Sequence, residues 1–140
     1  VLQPQYNLYD RASFEGALRD LSISLGLGVV TYFSLASGFL TGKYRSKEDL
    51  AHSARAGLVE PYLTDRGAAI LSALDEVALG HGTPLGEVAL AWLMAREGVS
   101  APIASATSIA QVESFARAAA LRLSADELAL LDRASAGNAG

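Results

Sequence analysis

Short apolar runs alternate with amphipathic segments along this chain, and this alternation constrains the fold more than any single motif does. Three apolar runs, at residues 1–7, 27–32 and 99–104, are predicted to be strands, although a proline interrupts the first and the third. Strands that alternate with helices favour right-handed βαβ units, so we expect an α/β fold with about three parallel strands and flanking helices. Such a small open sheet has two unpaired edges, which need further chain or a partner.

Apolar residues at helical spacing and candidate capping residues predict where the helices lie. The first helix is predicted to begin after Ser13, and a helix buried on most sides is predicted after Thr83. Capping-box spacing predicts two more helices after Ser108 and Ser124. The polar, glycine-punctuated stretch 34–62 is long for a loop, so it is either functional or contains a short helix. The expected apolar faces are Phe14, Leu18, Leu21 and Leu25 in the first helix; Ile70, Leu71, Leu74, Val77 and Ala78 in a helix closed by Gly80 and Gly82; and Ile109, Val112, Phe115, Ala116 and Ala119 in the helix after Ser108.

The composition excludes several kinds of site. The chain contains no Cys, which excludes a disulfide framework, a thiolate zinc site and a Cys nucleophile. Its two His, His52 and His81, are too few for a His-rich metal site and are expected at the surface or at a helix end. Fifteen acidic and eleven basic residues give a net charge of −4, and the basic residues are scattered, which argues against nucleic-acid binding. The apolar runs are far shorter than the roughly 18 residues of a membrane span, so we expect a cytoplasmic protein.

The length of 140 residues fits one domain with one core. The chain opens on Val1, and its single Met is Met94, so we expect it to be a piece of a longer polypeptide.

Two segments follow predicted strands and are candidates for binding an anion. In residues 31–45, small residues and two Gly would let backbone N–H groups approach an anion, Lys43 and Arg45 would supply charge, and Tyr32 would offer a flat face for stacking. A glycine-rich connector with a solvated basic tip is the competing interpretation. Residues 101–108 lead from a strand straight into a capped helix N-terminus, which suits an anion, although ordinary helix capping explains the same residues. No motif of known catalytic spacing occurs in the chain.

These same residues resemble the aldo-keto reductase family over nearly the whole chain. Residues 3–11 resemble the family's sixth strand and the turn after it, and residues 32–45 resemble the seventh strand and its cofactor loop. Residues 102–107 resemble the eighth strand, and residues 124–132 resemble the closing helix. The resemblance implies a partial (β/α)8 TIM barrel, with residues 1–140 as its C-terminal part. It also implies NADP(H)-dependent reduction of aldehydes and ketones to alcohols by hydride transfer.

The resemblance assigns roles to individual residues of the cofactor site. Gln3 would hydrogen-bond the nicotinamide carboxamide, and Tyr32 would stack on the nicotinamide ring. Lys43 would close over the pyrophosphate. The residues expected to line the pyrophosphate are Phe33, Ser34, Leu35, Ala36 and Ser37, and those expected at the 2′-phosphate end of the adenosine are Ser105, Ala106, Thr107 and Gln111.

The chain departs from the family pattern in three ways. Many relatives carry a Lys or Arg near the 2′-phosphate, whereas no basic residue lies beside Ala106 and Thr107. Phe115 stands where an Asn commonly meets the adenine, so it either stacks on the adenine or belongs to the core, which the helical periodicity favours. The family's catalytic Asp, Tyr, Lys and His lie on earlier strands, so we assign no catalytic residue and expect the chain alone to be inactive. The alternatives are a non-catalytic nicotinamide-binding regulatory relative and an inactive truncated fragment, and self-association through the open sheet edges is expected.

Overall fold

The computed structural model describes residues 1–137. Its regular elements are α1 (Ala17–Ser24), β1 (Val30–Thr31), α2 (Ala56–Val59), α3 (Asp65–His81), α4 (Leu85–Met94), β2 (Ala101–Pro102), α5 (Ile109–Ala120) and α6 (Ala125–Ser135). Single 3-10 turns or short 3-10 helices occupy Ala36–Thr41, Glu48–Leu50 and Glu60–Tyr62. The long stretch after β1 therefore contains short helices, as one of its two interpretations predicted. No helix within residues 1–137 has both the length and the apolar character needed to cross a membrane.

The three predicted strands form one parallel sheet, with regular pairing over shorter stretches than the sequence predicted. β1 pairs in parallel with β2, and Val30 lies opposite Ala101. The N-terminal segment joins the other side of β1 through parallel bridges from Leu2 to Val29 and from Gln5 to Tyr32. The two prolines of these strands lack an N–H and so limit the ladders, and Pro4 contributes only its carbonyl oxygen, to the N–H of Tyr32.

The core lies between the sheet and α3, α4 and α6. All residues of α4 from Glu87 to Leu93 are buried, which confirms the prediction that this helix is enclosed on most sides. Its Trp92 is fully buried, and the indole N–H donates to Asp132 of α6 at 2.9 Å. Asp132 also accepts hydrogen bonds from Arg96, so this one carboxylate fastens α6 to the end of α4.

The apolar face predicted for the first helix is confirmed at Phe14, which is fully buried just before the helix, and is wrong for its three leucines. Leu18, Leu21 and Leu25 are 38%, 53% and 63% exposed, and the buried residue of α1 is Ser22. Ser13 does not cap the helix, because its hydroxyl donates to the backbone oxygen of Gln5 and the helix begins only at Ala17. The leucines of α1 are therefore partly exposed, and the periodicity that identified the helix could not show which side is covered.

The predicted face of α5 is wrong as well. Ile109 and Val112 are 79% and 57% exposed, and Ala118 is the buried residue of the helix. Phe115 is half-buried and lies outside the main core, because α5 faces α4 with the side that carries Arg117 and Ala118. Ala116 and Ala119 are likewise exposed.

The face predicted for α3 is confirmed, since all five of its residues are buried: Ile70, Leu71, Leu74, Val77 and Ala78. Two of the four predicted caps are also confirmed. Ser108 and Ser124 cap α5 and α6 as expected, and the full capping box is present at Ser124. Thr83 does not cap α4, since Pro84 takes the N-cap position and the Thr83 hydroxyl donates to Glu87 instead. His81 lies in the last turn of α3, and its Nε2 is 2.8 Å from a carboxylate oxygen of Glu127.

Candidate functional site

The carboxyl ends of the parallel strands meet at one edge of the sheet, where α/β folds bind ligands. Tyr32 directly follows β1 there and is 36% exposed. Because Gln5 lies opposite Tyr32 and residues two apart share a face, Gln3 lies on the same open face as the Tyr32 ring. Gln3 is exposed, so its amide is available to a ligand on this face.

The loop that follows Tyr32 contains an unusual backbone. Phe33, Ala36 and Ser37 have φ angles of 52°, 49° and 57°, and they are the only non-glycine residues with positive φ among residues 1–137. A left-handed conformation costs a residue with a Cβ about 1–2 kcal/mol, so this loop holds several kcal/mol of strain. Strain of this kind concentrates at binding and catalytic sites, where the surrounding structure maintains it.

The strained loop also leaves backbone donors unused. Within the described part of the chain, the N–H groups of Phe33, Ser34, Leu35 and Ser37 donate no hydrogen bond, although Ser34 itself is buried. The N–H of Ala36 is used, because it closes a turn onto the oxygen of Phe33. Free N–H groups in a turn that combines right-handed and left-handed residues suit an anion. The pyrophosphate-lining residues that the sequence proposed therefore lie together in a backbone suited to an anion.

Lys43 folds back over this loop. A Cβ added to Gly38 would lie 3.3 Å from its Cε and 3.6 Å from its Nζ, so the ammonium group lies against the loop. Gly38 itself has φ 97°, a conformation that residues with a side chain rarely adopt. Lys43 is exposed and forms no ion pair with any residue between 1 and 137. Its charge adds to the N–H donors, and the arrangement favours a bound phosphate.

The second candidate segment leaves the same edge of the sheet. The N–H of Ile103 donates to Thr31, so the segment starts beside β1. Gln111 reaches back to the segment, and its side-chain oxygen accepts from the N–H of Thr107 at 2.6 Å. The segment's remaining predicted ligand residues, Ser105 and Ala106, are exposed. The structure confirms ordinary capping by Ser108 and leaves the anion-binding interpretation as a proposal.

A buried carboxylate fixes the helix that follows this segment. Glu87 of α4 is 3% exposed and accepts hydrogen bonds from Ser114 (2.7 Å) and Arg117 (2.9 Å) of α5 and from Thr83 (2.9 Å). Burial by itself raises the pKa of Glu87, but the hydrogen bonds from Ser114, Thr83 and Arg117 outweigh it and hold the pKa below its ordinary value. Glu87 therefore stays ionised and anchors α5, whose N-terminus carries Ser108 and Gln111.

Sequence reasoning missed Asn7, which the structure places directly beneath the strained loop. Asn7 is fully buried, and its amide nitrogen donates to the backbone oxygen of Phe33 at 3.0 Å. The signal that could have found it is a polar amide between the apolar residues Tyr6 and Leu8 at the end of a strand, where a buried polar group must have partners.

Three comparisons place the chain among known proteins. A family model described as the aldo/keto reductase family matches residues 1–136. The chain is 32% identical over 140 residues to an L-glyceraldehyde 3-phosphate reductase of Escherichia coli O157:H7, with 95% of this chain and 40% of that protein covered. It is 35% identical over 117 residues to a probable voltage-gated potassium channel subunit beta of Oryza sativa subsp. japonica, covering 80% of this chain and 36% of that protein. The chain thus spans about two fifths of the length of these relatives.

Among solved structures, a thermostable aldo-keto reductase crystallised with the inhibitor epalrestat superposes with a TM-score of 0.65. The superposition covers 94% of this chain and 38% of that one, at 23% identity, so it speaks to the fold alone. It confirms the predicted fold class, part of an α/β barrel.

Proposed function

This chain belongs to the aldo/keto reductase family, and from this we infer that it supplies the cofactor-binding part of an NADP(H)-dependent carbonyl reductase. The proposed reaction is the reduction of aldehydes or ketones to alcohols, and a cytoplasmic location is part of the same proposal. The observation that carries it is the strained loop after Tyr32, with its free N–H groups and the ammonium group of Lys43 at the carboxyl edge of the sheet.

NADP(H) would supply the hydride, and the residues of this chain would hold and orient it. Tyr32 has an exposed ring at the end of β1, which suits stacking on the nicotinamide, and Gln3 on the same face would hydrogen-bond its carboxamide. Residues 33–37 would donate backbone N–H groups to the pyrophosphate, and Lys43 would cover it. Together these contacts would hold and orient the nicotinamide and the pyrophosphate.

The adenosine end is proposed to lie against the segment before α5. Ser105, Thr107 and Gln111 offer hydroxyl and amide groups, and Ala106 leaves room for the ribose. Residues 103–116 contain no Lys or Arg, so the segment itself supplies no charge to the 2′-phosphate. Binding of the 2′-phosphate there would depend on neutral donors and on the N-terminus of α5.

Carbonyl reduction also needs a group that protonates the substrate oxygen as hydride arrives. The family resemblance puts that group on earlier strands, outside the residues assigned here. We therefore expect the 140-residue chain to bind the cofactor and to show no NADPH-dependent turnover of aldehydes.

A second candidate is a nicotinamide-binding regulatory role without catalysis. It is favoured by the 35% identity to a probable voltage-gated potassium channel subunit beta. Both candidates use the same cofactor loop, so the binding experiment below tests what they share, and turnover of the complete protein distinguishes them.

The proposal is tested by titrating NADPH into the chain and two variants. Tyr32→Ala removes the stacking ring, and Lys43→Ala removes a charge-assisted phosphate contact, so each should weaken NADPH binding about fivefold or more. Lys47→Ala is a matched control, because Lys47 is an exposed cation of the same loop region that pairs with Glu60. Unchanged dissociation constants for both Tyr32→Ala and Lys43→Ala would show that neither residue contributes to NADPH binding. The loop would then be a connector with a solvated basic tip.

A further inference from the structure

The side chain of Asn7 uses all of its hydrogen-bonding positions. Its amide oxygen accepts from the N–H groups of Tyr9 and Asp10, both at 2.8 Å. Its amide nitrogen donates to the backbone oxygen of Phe33 and to a carboxylate oxygen of Asp10, both at 3.0 Å. Because two donors meet the oxygen and two acceptors meet the nitrogen, the orientation of the amide is fixed.

The Phe33 oxygen is the point at which the strained loop begins. Phe33 is the first of the three non-glycine residues with positive φ, and its ring is 47% exposed and lies edge-on to the adjacent Tyr32. The other polar contacts of this turn are local, such as the Ser34 hydroxyl donating to Thr31. The Asn7 amide, 26 residues away along the chain, is the contact that ties the turn to the neighbouring strand segment.

Asp10 connects Asn7 to Tyr62, at the far end of the stretch 34–62. The carboxylate oxygen that accepts from Asn7 also accepts from Gln5 at 3.0 Å and from the Tyr62 hydroxyl at 2.7 Å. The Tyr62 ring stacks on Phe39, with centroids 5.4 Å apart and planes 19° apart. Burial and the neighbouring Asp10 raise the pKa of Tyr62, so its hydroxyl keeps its proton and remains a donor.

We propose that Asn7 is a positioning residue for the dinucleotide phosphates, acting through the backbone of residues 33–37. Its amide holds the Phe33 carbonyl group so that the free N–H groups of Leu35 and Ser37, which are partly exposed, face the anion before it binds. Strain in the loop is then maintained by the fold, and binding does not have to create it. The inference rests on the proposed function, since it concerns the same loop.

Asn7→Asp removes the donor to Phe33 and keeps the shape of the side chain. The new carboxyl group still accepts from the N–H groups of Tyr9 and Asp10. It lies against the Asp10 carboxylate, so any proton that the pair retains is shared between the two carboxyl groups, and the donation to Phe33 is lost in either state. ADP reports on the pyrophosphate loop, and adenosine 2′-monophosphate, which has no pyrophosphate, does not. We expect Asn7→Asp to weaken ADP binding to the 140-residue chain about tenfold or more and to change adenosine 2′-monophosphate binding less than about twofold.

Two further variants separate positioning from general stability. Tyr62→Phe keeps the stack on Phe39 and deletes one hydrogen bond to Asp10, so it should weaken ADP binding about two- to threefold in a chain that still folds. Asp132→Asn weakens the attachment of α6 to α4, away from the loop, and should leave the ratio of the two affinities unchanged.

Each outcome bears on a different claim. If the unmodified chain binds no ADP, the proposed function fails. The role assigned to Asn7 is overturned if the unmodified chain binds ADP and both Asn7→Asp and Tyr62→Phe bind it equally well. It is also overturned if these variants lose affinity for ADP and for adenosine 2′-monophosphate in equal proportion. Selective loss of ADP binding supports that role.

Discussion

Replacing Glu87 by Ala tests whether a buried carboxylate anchors the helix that carries the adenosine end of the site. The substitution removes the acceptor of hydrogen bonds from Ser114, Thr83 and Arg117. The Arg117 side chain is 57% exposed, so water replaces its partner at little cost, whereas the two half-buried hydroxyl groups lose a charged acceptor. A hydrogen bond to a charged group contributes about 1.5–3 kcal/mol, and water restores part of it after the substitution. For the two hydroxyl groups together, we expect Glu87→Ala to lower the free energy of unfolding by about 2–4 kcal/mol.

The loss should depend on pH in one direction. The folded-state pKa of Glu87 lies below its ordinary value of 4.5, because the three hydrogen bonds outweigh desolvation. The stability that the ionised group contributes is therefore present above the ordinary pKa and is lost as the pH falls through the lower, folded-state pKa. The difference between the unmodified chain and Glu87→Ala should be constant near neutral pH and should shrink below about pH 4.

Urea unfolding monitored by tryptophan fluorescence measures this, since Trp92 is the single Trp and is fully buried. Glu113→Ala is the matched control, because Glu113 is an exposed carboxylate on α5, the helix that Glu87 anchors. A loss for Glu87→Ala below about 1 kcal/mol, or one equal to that of Glu113→Ala, would refute the anchoring role.

Two further predictions concern packing and association. A Cβ on Gly67 would overlap the backbone oxygen of Tyr62 and lie 3.0 Å from Phe39. Gly67→Ala should therefore destabilise the chain by about 1–3 kcal/mol or more in the same urea assay. A Cβ on Gly80, on the same helix, meets nothing, so Gly80→Ala should be neutral or stabilising. Val1 (93% exposed) and the rest of the open sheet face should cause the 140-residue chain to self-associate. Sedimentation at micromolar concentration should therefore show oligomers. A monodisperse monomer that does not bind the dye ANS would contradict this prediction.

The sequence by itself determined the features that depend on neighbours within a few residues. Ser108 and Ser124 were identified as caps because the acceptor and the N–H it satisfies are three positions apart. The buried helix α4 was evident because nearly all of its residues are apolar, so no choice of face was needed. The order of strands and helices likewise predicted the parallel sheet.

The sequence proposed the loop after β1 as the candidate site but did not predict the backbone geometry of that loop. Glycines, Tyr32 and Lys43 marked the loop after β1, and the family resemblance gave the roles. The positive φ angles at Phe33, Ala36 and Ser37 could not be predicted, because these residue types ordinarily avoid them and adopt them only where other contacts impose them.

Only the tertiary structure decided which sides of α1 and α5 are covered and which distant groups meet. Periodicity gave the buried face of α3, where all five predicted residues are buried. It located α1 and α5 but chose the wrong faces, because the buried side of a helix depends on its neighbours, and Leu21 of α1 is 53% exposed. Asn7 and Phe33 are 26 positions apart, and Glu87 and Ser114 are 27 apart. Hydrogen bonds over such separations form only after the sheet and the helices have packed, so they leave no local pattern in the sequence, and they are the contacts that hold the loop and α5 in place.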